Sequence, residues 1–212
     1  VTKVWSEFVH VGHTVPYGGA LVNTVAYGAR QMTPDNLDRE RWEQAALDAL
    51  ERGGLAAVAV EPLARQLGVT KGSFYWHFRT RQELIAATVA RWERLHVEDP
   101  LKAVATIEDP RERLLALLGK ASAKPPSIFM RMLESSADDP AVHAAVVRAA
   151  ELRVAFMAKA FGELGLSRAR ARRQALLAYS TYVGRAHLSR DAPELLGDPE
   201  ALAKHAAEQL IP

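Results

Sequence analysis

The stretch from 59 to 78, AVEPLARQLGVTKGSFYWHF, restricts what this chain can fold into more than any other. Val60, Leu63, Ala64 and Leu67 recur at three- and four-residue spacing and so share one helical face. Gly68 follows them, where a helix can end in the left-handed region that glycine enters cheaply. Thr70 can accept a hydrogen bond from a free N–H at the start of a second helix, beginning near Lys71. That second helix is short and carries Ser73, Tyr75 and Trp76, while Phe74 and Phe78, four apart, can anchor it to a core. The pattern predicts a helix-turn-helix, whose second helix enters the DNA major groove.

The segment from Trp42 to Leu84 resembles the N-terminal domain of TetR-type (tetracycline-repressor-like) transcriptional regulators. That family reads V-x-x-I-A-x-x-x-G-V-S-K-G-T-L-Y-x-H-F-x-S-K-x-x-L after an Ala- and Leu-rich first helix. The same places here hold Val60, Leu63, Ala64, Gly68, Val69, Thr70, Lys71, Gly72, Ser73, Phe74, Tyr75, His77, Phe78, Thr80, Arg81 and Leu84. The resemblance implies Thr70, Lys71, Gly72, Ser73, Tyr75, Trp76, His77 and Arg81 as the DNA-facing set. Tyr75, His77, Lys71 and Arg81 suit phosphates, which position a protein without carrying sequence information. Base edges fall to Lys71, Gly72, Ser73 and Trp76: an ammonium donates to guanine O6 or N7, and an apolar edge meets a thymine methyl. Phe74 and Phe78 are expected in the core, with Tyr75 and Trp76 outside.

Two residues depart from the pattern. Ala59 stands where the family has a Ser or Thr that caps the second helix and often touches phosphate, and Pro62 lies in that helix's first turn. The first turn has N–H groups without partners, so Pro62 is tolerable. Ala59 can supply neither cap nor contact.

The expected fold is all-α: an N-terminal three-helix helix-turn-helix DNA-binding domain plus a C-terminal helical ligand-binding and dimerisation domain. At 212 residues the chain can bury a substantial core, and Ala and Leu dominate its apolar content. It has no cysteine, which excludes disulfides and thiolate metal sites and fits a cytoplasmic location. No apolar run approaches the roughly 20 residues that span a bilayer. The net charge of +2 is too small to imply nucleic acid by itself. Its distribution says more: Arg65, Lys71, Arg79 and Arg81 follow one another with no acid between.

Residues 1 to 34 read as an N-terminal extension, non-native or disordered, with the native start expected at Met32. The DNA-binding domain is expected over 35 to 80, opening with a helix from about Asp35 to Arg52. The remainder, 81 to 212, forms the second domain. Thr80 and Glu83 make a capping box for a helix to about Val97, and Pro100 with the stretch to Asp109-Pro110 predicts a break. A helix from Arg111 to Ala121 stops before Lys124-Pro125-Pro126, and a short one covers Ser127 to Ser136. Asp139-Pro140 opens a long helix to Leu164, Ser167 caps another to about Leu188, and Pro199 to Leu210 is the last.

Small residues on the final long helices (Ala171, Ala175, Ala178, Gly184 and Ala186, with Ala201, Ala206 and Leu210) predict the face of a homodimer. The two recognition helices would then lie one DNA turn apart, roughly 34 Å, on a pseudo-palindrome of double-stranded DNA. By resemblance the C-terminal domain encloses a small-molecule effector, lined by Phe129, Met132, Leu133, Phe156, Met157, Tyr179 and Tyr182. Met and aromatic side chains suit an adaptable apolar site. Arg131, Glu134, His143, Arg153, Arg185 and His187 add polar groups to the same helices.

His10 and His13 lack further ligands, so no metal site and no cofactor is expected. The chain lacks G-x-S-x-G, a phosphate loop, a dinucleotide fingerprint and His-Glu-x-x-His, so an enzyme is a poor reading. The expectation is a DNA-binding regulator, a repressor released by a small molecule. The alternative is a helical ligand-binding module that no longer binds an operator, motivated by Ala59.

Overall fold

The computed structural model describes residues 34–123 and 127–212, and every regular element among them is a helix. The expectations for the N-terminal extension and for Lys124-Pro125-Pro126 lie outside the described residues. Helix α1 runs Pro34–Gly53, α2 Val60–Leu67, α3 Lys71–His77 and α4 Arg81–Glu93. A 3-10 turn, Leu55–Ala57, joins the first two. Then come α5 (Asp99–Ala105), α6 (Pro110–Ala123) and α7 (Ser127–Ser135), followed by the two longest helices, α8 (Pro140–Glu163) and α9 (Arg168–Asp191), and α10 (Pro199–Leu210). The helix boundaries follow the local signals. The Asp139 carboxylate accepts from the N–H groups of Ala141 and Val142, at 2.8 and 3.2 Å, and Pro140 occupies the first turn of α8. Thr80 Oγ1 accepts from Glu83 N at 3.1 Å, and the Glu83 carboxylate returns to Arg79 N at 2.8 Å.

The break expected from Pro100 to Asp109-Pro110 narrows to residues 106–109, and none falls at Pro100 itself. The chain passes it through a π turn, Arg94–Glu98, and continues into α5 with Glu98 and Asp99 still helical. Pro100 sits in the first turn of α5, where its missing N–H costs little. The helix ends later, at Thr106, whose hydroxyl donates to Ala103 O at 2.8 Å.

Two apolar clusters hold the described chain together. The first gathers Trp42, Leu50, Leu63, Phe74, Phe78, Leu84 and Trp92 from α1 to α4, joined by Phe129 and Met132 of α7 and by Val142, Ala145 and Ala149 of α8. The second holds Leu114 of α6, Val154, Met157, Ala160 and Phe161 of α8, Ala171, Ala175 and Ala178 of α9, and Ala207, Leu210 and Ile211 at the end. Helix α8 serves both, with its first half in one cluster and its second half in the other. Charged contacts tie α8 to α4: Arg148 grips the Glu93 carboxylate with two hydrogen bonds of 2.9 and 2.7 Å.

The predicted dimer face needs correction. Ala171, Ala175, Ala178 and Ala186 are 0–2% exposed within a single chain, where they let α9 approach its neighbours closely. Leu176 and Leu177 of α9 are instead 43% and 54% exposed, and Leu152 of α8 is 46% exposed. Small residues won the buried side because two long helices packed closely leave no room for leucine. Glu134, His143 and His187, among the polar groups of these helices, are exposed too.

Candidate nucleic-acid interface

The reading head is built by short-range chemistry. Helix α2 ends at Gly68, at φ 70° and ψ 27°, and Val69 N donates back to Ala64 O at 3.0 Å. This closure satisfies a carbonyl at the end of α2 and turns the chain at once into α3. Thr70 Oγ1 receives Ser73 N at 3.4 Å, so the two helices are joined by three residues. Ala59, the N-cap of α2, makes no side-chain cap, yet the helix starts there with Leu63 N donating to Ala59 O at 3.1 Å. A missing cap costs about 1 kcal/mol, which burial of Leu63 and Ala64 offsets.

Aromatic packing fixes which side of α3 faces out. Phe74 stacks on Phe78 at 5.5 Å between centroids and meets the Trp42 ring edge-on at 5.4 Å. All three are 1% exposed. With α3 pinned by Phe74 and Phe78, Tyr75 and Trp76 stand on the opposite side, 57% and 88% exposed. Thr70, Lys71 and Gly72 are exposed as well, while Ser73 and His77 are half-buried. These residues therefore form one surface with Tyr75 and Trp76.

Three charged residues behave in ways the sequence did not announce. Lys71 Nζ lies 2.8 Å from Glu61 Oε1, across the turn, and both groups are exposed. The hydrogen bond from Lys71 lowers the Glu61 carboxyl, and the same bond raises the Lys71 ammonium. Arg81 turns inward to the backbone, donating from Nε to Val58 O at 2.6 Å and from Nη2 to Leu55 O at 2.5 Å. It holds the turn that feeds α2. Arg39 was not singled out by sequence. Its Nη1 donates to His77 O at 2.7 Å, and its guanidinium lies 4.4 Å from the Phe78 centroid. It secures the C-terminal end of α3, a role with no local sequence signal because its partner lies 38 residues away.

The candidate effector residues divide between the two clusters. Phe129 and Met132 are buried in the first, with Leu133 and Tyr182 against it. Met157 lies in the second, with Tyr179 against it, and Phe156 is half-buried. An open groove of about 480 Å³ between α7 and α9 is lined by Met130, Leu133, Glu134, Val183, Gly184, His187 and Arg190, so only Leu133 of the set reaches it.

Residues 44–88 match the sequence profile described as bacterial regulatory proteins, tetR family. The match begins in α1 and ends in α4, and so covers the whole helix-turn-helix. This segment is similar to the N-terminal domain of the TetR family. Over 52 residues this chain is 36% identical to the HTH-type transcriptional regulator SrpR of Pseudomonas putida, covering 24% of each chain. The matched segment thus spans about a quarter of that relative's length. A TetR-family transcriptional regulator from Agrobacterium tumefaciens superimposes with a TM-score of 0.70 at 17% identity, over 84% of this chain and 100% of that one. A putative transcriptional regulator from Saccharomonospora viridis, in complex with choline, gives a TM-score of 0.60 at 19% identity, over 81% and 92%. At these identities the TetR fold is shared along nearly the whole described chain.

No described helix is long and apolar enough to cross a membrane, and the described residues hold no group of three or more His, Cys, Asp or Glu suited to a metal ion.

Proposed function

We propose that this chain is a sequence-specific DNA-binding transcriptional regulator, a repressor released by a small-molecule effector. The observation that carries the reading is the outward face of α3. A short helix anchored by two buried phenylalanines presents Lys71, Gly72, Ser73, Tyr75 and Trp76 together, with Thr70 at its start. That is the polar and aromatic surface a major groove accepts. Tyr75 and His77 are assigned to phosphates, and Lys71 and Trp76 to base edges. Arg81 acts by bracing the α2 turn rather than by reaching DNA, since its guanidinium already serves two carbonyls.

Residues 35–80 are taken as the reading head and 81–212 as the effector and dimerisation domain. A second copy of the chain is the expected partner. Leu176 and Leu177, exposed on α9, are the apolar residues that a partner would cover. The pair of heads would then meet a pseudo-palindrome. An effector shifts the equilibrium only by binding the DNA-competent and released states unequally.

The test is a fluorescence-anisotropy titration of the full chain with DNA from upstream of its own coding sequence. Random DNA is the control and salt is varied. Tight, selective, salt-sensitive binding is expected. Loss of selectivity against random DNA, together with no selected sequence from a pool of random oligonucleotides, would sink the reading.

A further inference from the structure

The seam between the two apolar clusters contains a cation that the fold leaves incomplete. On α8 the first cluster ends at Ala149 and the second begins at Val154. On α9 the second cluster ends at Ala178, and the first takes up Ala186. Arg153, Tyr179 and Tyr182 lie in this interval. The Arg153 guanidinium sits 5.5 Å from the Phe129 centroid and 6.0 Å from that of Tyr182. The Phe129 and Tyr182 rings are 5.0 Å apart, and the two tyrosines 6.2 Å. The guanidinium donates from Nη2 to His96 O at 2.9 Å and also lies within hydrogen-bonding reach of the Tyr179 hydroxyl. Nη1 is buried without a hydrogen-bond partner, and no carboxylate pairs with Arg153 among the described residues.

A buried N–H on a charged group is costly to leave unmade. The faces of two rings compensate part of that cost, since a guanidinium over aromatic faces is attracted by their quadrupoles. They supply no acceptor for Nη1. What completes the site is an anionic oxygen pair in the plane of the guanidinium, on a body flat or slender enough to lie against rings. Burial raises the hydroxyl pKa of Tyr179 and of Tyr182 against the lowering influence of Arg153, and the two phenols add O–H donors beside the guanidinium.

We propose that the Arg153–Tyr179–Tyr182 seam binds a small organic carboxylate, and that this ligand is the effector. Its carboxylate takes Nη1 and competes with His96 O for Nη2. The second contact matters because His96 belongs to the π turn at the end of α4, the helix that also carries the capping box of the head. Arg148 and Arg153 of α8 clamp that end at Glu93 and His96, and the ligand opens one of the two clamps. A quaternary ammonium such as choline, the ligand in complex with the Saccharomonospora viridis regulator, is repelled by the same guanidinium. The inference rests on the effector-gated reading above, so its test uses no DNA.

Benzoate, 2-naphthoate and octanoate are titrated into the full chain by calorimetry, beside their neutral amides and choline. At least one carboxylate is expected to bind saturably and at least tenfold more tightly than its amide, with no heat from choline. Arg153→Gln should abolish that preference. Tyr179→Phe should weaken carboxylate binding several-fold while leaving the melting temperature near wild type, which guards against a merely unfolded Arg153 variant. Amide hydrogen exchange over 94–105 should quicken when the carboxylate is bound. Equal affinity for acid and amide, or no binding by any of the three acids, overturns the proposal. Carboxylate binding with unchanged exchange over 94–105 overturns the coupling to α4. Failure of operator binding would appear only in the separate anisotropy titration.

Discussion

The head and the body of this chain solve the same packing problem with opposite materials. In the head, three large rings, Trp42, Phe74 and Phe78, fill the space between short helices. In the body, the long helices α8 and α9 approach through alanines, and Ala175 and Ala178 are 0% exposed. A core of rings tolerates no deletion, because a removed ring leaves a hole. A core of alanines tolerates no addition, because nothing near it can retreat. Short helices gain orientation from a few bulky anchors, whereas long helices gain it from a continuous close seam.

The largest effect should come from breaking the head. Phe74→Ala removes a ring that touches both other anchors and is expected to cost about 3–5 kcal/mol, read by urea denaturation. The reverse change tests the body: Ala178→Leu is expected to cost about 1–3 kcal/mol through overpacking, although it adds apolar surface. If the leucine variant were as stable as wild type, the seam would have room to spare and the contrast would fail.

The hinge between the regions gives a smaller effect with a pH signature. Asp139 is buried, caps α8 and receives Gln82 Nε2 of α4 at 2.7 Å. Burial alone would raise its carboxyl, but hydrogen bonds from Gln82, Val142 and Ala141 together hold it below the ordinary carboxylate value. A depressed native pKa contributes stability above the unfolded pKa, near 4, and loses it as pH falls through the native value. Asp139→Ala should therefore cost about 1–2 kcal/mol at neutral pH. It should also remove part of the loss of stability below pH 4, measured by thermal melts across an acid series.

Smallest in stability is Glu61→Gln, which should leave the melting temperature unchanged because the Glu61–Lys71 pair is exposed. It releases Lys71 at the edge of the reading face. Affinity for random DNA should rise and the salt dependence should steepen by about one counterion. An unchanged slope would mean that Lys71 stays away from phosphate whether or not it is paired.

The same contrast explains what the sequence reveals. Gly68, Thr70, Thr80, Glu83 and Asp139 act on backbone groups within a few residues, so their roles are readable from spacing. Phe74 and Phe78 inside, with Tyr75 and Trp76 outside, follow from one helical turn that cannot bury every aromatic. The partners His77 of Arg39, Val58 of Arg81 and Glu93 of Arg148 lie 23 to 55 residues away, and no local rule names them. In α9, small and large apolar residues both recur at helical spacing, and periodicity cannot say which set is inside. The rule that failed at Pro100 is also local, because one wider turn absorbed the missing N–H.

The placement of the tryptophans gives this chain a built-in optical division. Trp42 and Trp92 are sealed at 1% and 0% exposure, and the Trp92 indole N–H has no acceptor. Trp76 projects into solvent at 88%. Among the described residues the buried pair should emit to the blue and resist a dissolved quencher, while Trp76 emits to the red and is quenched readily. A change confined to the red component reports contact at the tip of α3. A change in the blue component reports repacking around α1 and α4. With Trp5 replaced by phenylalanine, light from the unlabelled protein can thus distinguish an event on its surface from one inside it.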